Sequence, residues 1–350
     1  MFTSARDDER PDVLLAGLLF HDLVLTGLPK PPAAGEEIWT DGMGCGPGGI
    51  ANLAVAAARY GLSTSLATVF GDDVYGAFGR DVLAVREGVD LSLSRTAPDW
   101  DTPVTVSLAY GDDRALVTHG AEPPYSQDEL IGEPPDARTA LVHIGAEPQE
   151  WIEKAAANGT RIFADIGWDP AEQWAPDVLR QLELCHAFVP NEGEAMAYTR
   201  TESPEAALRA LAGLVPVAVI TRGPEGVVGV DQTTGEHAVV EAVATDVVDA
   251  TGAGDVFGAG FVAATLAGLP LVDRLRFAAL GASLSTRSRT GALAAPGLAG
   301  IAHWWRAEGS IDPGLRKQYG FLADILPADA PQAHPAAPTT PRNPRTSTTR

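Results

Sequence analysis

Cysteine is nearly absent. Cys45 and Cys185 are the two in 350 residues, which excludes a disulfide framework and fits a reducing compartment, so a cytoplasmic location is expected. Lysine is almost as scarce: Lys30, Lys154 and Lys317 stand apart and none follows a glycine, so the Gly-Lys pair of a Walker-type phosphate loop is missing. Positive charge is short overall, with 25 Lys and Arg against 46 Asp and Glu for a net charge of -21. The basic residues are scattered, so neither a nucleic-acid nor a membrane partner is expected. No apolar run approaches the roughly 18 residues of a membrane span, and the opening MFTSARDDERPD carries no apolar signal segment.

What is present is a chain with 45% hydrophobic residues, enough for a large core. Continuous apolar runs, VLLAGLLF (13–20), TSLATVF (64–70), TALVHIG (139–145), TRIFADIG (160–167), CHAFVP (185–190) and VPVAVIT (215–221), read as buried strands of a parallel sheet. Helical stretches lie between and after them: GIANLAVAAARYG, VYGAFGRDVLAVREG, PEAALRALAGL and LVDRLRFAALGASLSTRS. That alternation predicts a three-layer α/β domain. Segments 21–40 and 102–120 break the rhythm and read as hairpins of a separate small sheet, the second turning at GDD. One domain over 12–326 is expected, with disorder in 1–11 and in the Pro- and Thr-rich tail 327–350. The segment 303–326 reads as a helical extension packed on that domain.

Two glycine-rich elements stand out. In DGMGCGPGGIANLAVAAARYG, Gly44, Gly46, Gly48 and Gly49 precede a helix carrying Asn52 one turn in; the element is either a tight helix entry or a bare backbone surface for a small polar ligand. It does not follow the first core strand, which disfavours a dinucleotide-binding oxidoreductase. In DATGAGDVFGAG (249–260), Gly252, Ala253 and Gly254 would leave amides pointing along a helix axis, where an anion is favoured. A carboxylate at Asp255 beside such a turn is either a helix-capping acid or a general base. Asp73, in VFGDDVYG, is expected to cap the next helix.

Together these motifs resemble the ribokinase-like carbohydrate kinases of the PfkB family, whose C-terminal signature matches DATGAGDVFGAGF. GPGGIANLAVAAARYG with VFGDDVYG matches the N-terminal signature, and PNEGEA (190–195) and TRGPEG (221–226) match the nucleotide-side motifs. The resemblance implies a ribokinase-like α/β/α fold with a mainly parallel central sheet, a small β-sheet lid over the acceptor, and transfer of the γ-phosphate of ATP to a sugar hydroxyl. It implies Asp255 as catalytic base, with Gly252, Ala253 and Gly254 as the anion hole. Asp22, Gly48, Gly49 and Asn52 would hold the acceptor. Asn191 and Glu194 would lie near the triphosphate and Mg²⁺, Glu194 through water, and Thr221, Gly223 and Gly226 would line the nucleotide pocket. Asp249 and Thr251 match positions that bind a monovalent cation such as K⁺ in many relatives, and a homodimer through the lid sheet is common among them. Where ribokinases carry Asn two positions before the sugar-binding Asp, this chain has Phe20, which fits a base or a less hydroxylated face better than ribose. Arg114 and His119 are read as an exposed edge of the second hairpin, and Trp168 as core or a stacking surface. A nucleoside kinase of the same fold and a non-catalytic sugar- or nucleotide-binding regulator are the alternatives.

Overall fold

The computed structural model describes residues 10–110, 113–167, 169, 171–288, 291–309 and 311–326. The expected tail 327–350, residues 1–9 of the expected disordered N-terminus, Gly111 and Asp112 of the GDD turn, and Trp168 lie outside the described residues.

Fourteen strands occur among the described residues: β1 Val13–Ala16, β2 Leu19–Leu28, β3 Gly42–Gly49, β4 Thr64–Ala67, β5 Val69–Gly71, β6 Arg95–Ala97, β7 Val104–Tyr110, β8 Asp113–His119, β9 Thr139–Ile144, β10 Arg161–Ile166, β11 Cys185–Phe188, β12 Val217–Thr221, β13 Val227–Asp231 and β14 Glu236–Val240. The main sheet runs β14-β13-β12-β11-β10-β9-β1-β4. It is parallel from β12 to β4, and β13 and β14 close one edge antiparallel. Both faces of the parallel part are covered. Val13 and Leu15 join one apolar cluster while Leu14 and Ala16 join the other, which is why the strand sequence is apolar at every position rather than alternating.

Helices fill the two outer layers: α1 Ile50–Arg59, α2 Val74–Arg80, α3 Gln127–Ile131, α4 Glu150–Ala157, α5 Glu192–Thr199, α6 Pro204–Ala212, α7 Ala253–Leu266, α8 Leu271–Ser285, α9 Gly297–Trp304, α10 Pro313–Tyr319 and α11 Leu322–Ile325. Helix α7 is buried along Val256–Ala264, so it lies inside the fold between the sheet and its neighbours α1 and α8. Phe261 of α7 meets Phe163 of β10 edge-on, ring centroids 6.2 Å apart. That contact packs the helix against the middle of β10. The C-terminal helices α9, α10 and α11 add Trp304, Tyr319, Leu322 and Ile325 to the same cluster.

The two hairpins form a second sheet, ordered β3-β2-β7-β8. Its limits differ from the expectation. The run 13–20 divides into β1 of the main sheet and the start of β2, and the partner of β2 is the glycine-rich stretch 42–49 itself. That stretch is a strand because its neighbour demands it: a Cβ on Gly48 would collide with the carboxylate of Asp22. The run 64–70 is likewise divided, β4 joining the main sheet and β5 pairing with β6 in a two-stranded sheet.

Candidate active site

The chain's functional side chains collect where the parallel strands end. Strand β2 carries Asp22, α1 carries Asn52 in its first turn, and the turn before α7 carries Asp249 to Gly252. No strand enters this turn directly: β14 ends at Val240 and an irregular segment leads to Gly252. Gly252 is the N-cap of α7 with φ 76°, a left-handed conformation that a side chain would strain.

Asp255, in the first turn of α7, accepts a hydrogen bond from Asn52 Nδ2 at 2.9 Å on its Oδ2. Burial pushes its carboxyl up, while His143 and the Asn52 bond pull the other way. Asn52 is 5% exposed, and its Oδ1 is buried with no hydrogen-bond partner among the described residues. Across from it, Asp22 is pushed up to about 6, first by burial and then by the charges of Asp255 and Asp249, against the opposing pull of Arg114. The Asp22 carboxylate and Asn52 Oδ1 are both acceptors and cannot satisfy one another, and Asn52 Oδ1 is the buried one left without a partner among the described residues. Buried polar atoms left in that condition are costly unless a ligand completes them.

The amide turn is partly self-satisfied. Ala253 N–H donates to Ala250 O at 3.2 Å, while the first-turn amides of Gly254 and Asp255 have no intrahelical carbonyl to reach. A Cβ at Gly254 would enter open space, with no atom within 4 Å. The turn is braced from within by Asp249, whose Oδ1 accepts from Thr251 N–H at 3.0 Å and from Thr251 Oγ1–H at 2.7 Å. Asp249 Oδ2 is buried without a hydrogen-bond partner among the described residues.

Asn191 and Glu194 form a capping box at the start of α5: Asn191 Oδ1 accepts from Glu194 N–H at 2.9 Å, and Glu194 Oε2 accepts from Asn191 N–H at 3.1 Å. Read without the family, this pair would be an exposed acidic helix start; instead Glu194 is buried, and burial raises its carboxyl against those bonds. The strand end at Thr221 is bridged to Asn191, so the two nucleotide-side motifs meet. Asp73 caps α2 as expected, accepting from Tyr75 N–H at 2.8 Å and Gly76 N–H at 2.7 Å.

The chain matches the pfkB family of carbohydrate kinases over residues 33–296. It is 32% identical over 295 residues to ribokinase from Bacillus subtilis, covering 79% of this chain and 93% of that protein. The chain belongs to the pfkB family. A cytidine kinase from Thermococcus kodakarensis is 30% identical over 241 residues, covering 66% of this chain and 84% of the relative. Ribokinase from Arabidopsis thaliana, solved with ribose and ATP, superposes with a TM-score of 0.69 at 23% identity, covering 84% of this chain and 98% of that one. The ribokinase-like fold and the phosphotransferase class follow.

In this pfkB-family kinase, sequence reasoning missed three residues at the site. Arg114 and His119 are exposed on the edge strand β8 as expected, but Arg114 also reaches Thr251 Oγ1 at 2.7 Å. His143 and Asp165 are register partners on β9 and β10, with Nε2 and Oδ2 3.9 Å apart. Asp165 is held well above the usual carboxylate range by burial and by the nearby Glu194 and Asp255. The signal for both was a polar residue interrupting an apolar strand, ALVHI and RIFADI. The two turn glycines differ in kind: Gly223 faces open space, whereas Gly226, at φ 90°, lies against the backbone of Val240, Glu241 and Ala242. No helix among the described residues is long and apolar enough to cross a membrane.

Proposed function

We propose that the chain transfers the γ-phosphoryl group of ATP to a hydroxyl of a sugar or sugar-like small molecule, with Asp255 as general base. The observation that carries this is the Asn52–Asp255 bond of 2.9 Å, which aims a carboxylate at the space lined by Asp22 and by the open face of Gly254. Asp22 and Asn52 Oδ1 accept hydrogen bonds from the acceptor's hydroxyls; Gly48, by lacking a side chain, leaves room for the Asp22 carboxylate, and Gly49 does the same for the Phe20 ring. Asp255 takes the proton of the attacking hydroxyl as its oxygen bonds to phosphorus and the bond to the β-phosphate oxygen breaks, ADP leaving with the electron pair. The turn amides from Gly252 to Gly254 receive the charge on the phosphoryl oxygens; at Ala253 those oxygens compete with Ala250 O.

The nucleotide lies along Asn191, Thr221, Gly223 and Gly226 in this reading. Glu194, through water, and Asp165 are the carboxylates that fit a magnesium ion, a hard cation with oxygen ligands that neutralises phosphate charge. The partnerless Asp249 Oδ2 supports a monovalent cation such as K⁺ at Asp249 and Thr251. The β2, β3, β7 and β8 sheet acts as a lid that excludes water. Met43, Leu116 and Val117 are exposed on that sheet and support a homodimer formed through it.

Phe20 favours a second reading on the acceptor side, a nucleoside kinase of the same fold. It lies two residues from Asp22 on β2, hence on the same face, and presents an apolar ring where a base could stack. Acceptor-dependent ADP release against a panel of sugars and nucleosides tests both readings, and Asp255→Asn should abolish transfer while ATP still binds. ATP binding with no acceptor-dependent ADP from any compound would leave a non-catalytic regulator; substantial turnover by Asp255→Asn would remove the base assignment.

A further inference from the structure

The small sheet touches the phosphate turn at one charged point. Arg114 is carried on β8, which forms an outer edge of the β3-β2-β7-β8 sheet, and its Nη1–H donates to Thr251 Oγ1 at 2.7 Å. Thr251 Oγ1–H in turn donates to Asp249 Oδ1 at 2.7 Å, and the Arg114 guanidinium is 4.0 Å from that same oxygen. A continuous donor chain therefore runs from the lid edge to the carboxylate that braces the turn. The next residue along is Gly252, the left-handed N-cap from which the proposed anion hole begins. Arg114 is exposed and Asp249 is buried, so the contact joins a partly solvated cation to a buried carboxylate.

We propose that Arg114 is a positioning residue for phosphoryl transfer: from the lid edge it fixes the Asp249–Gly252 turn through Thr251, so that the turn takes its working shape when the small sheet is seated. This rests on the reading of that turn as the phosphoryl site. Arginine suits the task because its planar fork can address a hydroxyl and a carboxylate together, which the single ammonium of lysine does less well. The coupling makes acceptor closure a condition of transfer. A site whose lid is open has a loosened anion hole, and hydrolysis of ATP without acceptor is suppressed by the same device.

The test uses the full chain with Arg114→Gln and Arg114→Lys. Hydrogen exchange without ligands should show peptides across 245–253 and across 104–110 exchanging faster together in Arg114→Gln, with peptides across β9 to β12 unchanged. In steady state kcat should fall roughly 5- to 30-fold, less than the full worth of a charge-assisted bond because Arg114 is exposed to solvent. The KM for ATP should stay within about twofold, and Arg114→Lys should recover part of kcat. Exchange of the 245–253 peptide at the wild-type rate overturns the proposal, as does a kcat equal to wild type with loss confined to KM. If wild type itself makes no acceptor-dependent ADP, the phosphotransfer reading has failed. The exchange experiment still decides whether Arg114 holds the turn. Should Arg114→Gln not fold, Arg114→Lys carries the same exchange comparison.

Discussion

Replacing Asn52 with Leu should move the acid limb of the pH–rate profile to higher pH. The side chain's volume is kept, but the 2.9 Å bond from Nδ2 to Asp255 Oδ2 is lost. That bond favours the ionised carboxylate, opposing the burial that already raises it. A hydrogen bond to a charged group is worth about 1.5–3 kcal/mol. At about 1.4 kcal/mol per pH unit, its loss moves the limb up by roughly 1 to 2 units. Below the limb the reactive base falls tenfold per unit, so at a pH that leaves wild type half active the variant should be roughly 5- to 50-fold slower than wild type.

Asn52 also offers Oδ1 to the acceptor, and the two roles separate cleanly. Losing an acceptor contact lowers kcat/KM by one factor at every pH, a vertical displacement; losing support for the base displaces the limb sideways. The assay is kcat/KM for the acceptor from pH 5 to 9 at saturating ATP, with ADP quantified directly by chromatography so that no coupling enzyme imposes its own profile. A vertical drop with an unmoved limb would refute the base-supporting role of Asn52, and a limb displaced to lower pH would refute the base assignment itself.

Asp22, pushed up to about 6, must be ionised to accept two hydroxyl bonds, so the acceptor KM should rise as pH falls through about 6. Asp22→Asn should raise that KM at all pH values and remove this dependence; a KM that stays flat in wild type counts against the contact. Asp165 is raised from 3.8, so in the pH range above 3.8 the folded chain binds more protons than the unfolded one. Its contribution to stability is present below 3.8 and is lost as pH rises through the folded value. Thermal melts of ligand-free protein should therefore show a decline with pH that Asp165→Asn flattens; identical slopes for the two proteins would contradict the burial of that charge. Phe20→Asn should improve kcat/KM for ribose relative to nucleosides, by roughly tenfold if one buried polar contact is gained; an unchanged ratio would show that the ring does not face the acceptor.

The strands β9 to β12 were legible because both their faces are covered, which keeps them predominantly apolar despite single polar residues such as His143 and Asp165. The glycine turn was legible because its parts are neighbours in sequence. Residues 42–49 were not read as a strand: glycine and proline carry low strand preference, and the strand exists through its pairing with β2 and the room that Asp22 takes above Gly48. The division of VLLAGLLF between two sheets was equally hidden, since periodicity says nothing about which sheet a strand joins. Arg114 and Thr251 are 137 residues apart, beyond any motif spacing. His143 and Asp165 meet only through the register of β9 and β10.

The charges at the site explain why that hidden arginine matters. Asp22, Asp165, Glu194, Asp249 and Asp255 crowd the edge where a triphosphate is proposed to enter, and four of the five have raised affinity for protons. The chain's net charge of -21 has little to do with this, because surface charges beyond about 8–10 Å are largely screened. What decides the protonation of Asp22 is local: burial first, then two neighbouring carboxylates against the one guanidinium of Arg114. Asp22 on β2 and Arg114 on β8 belong to the same small sheet, so lifting that sheet parts both of them from Asp249 and Asp255. If the sheet is seated, the same guanidinium lowers Asp22 and braces the turn through Thr251. Acceptor binding and the geometry for phosphoryl transfer thus draw on one positive charge, and a lid held open should weaken both together.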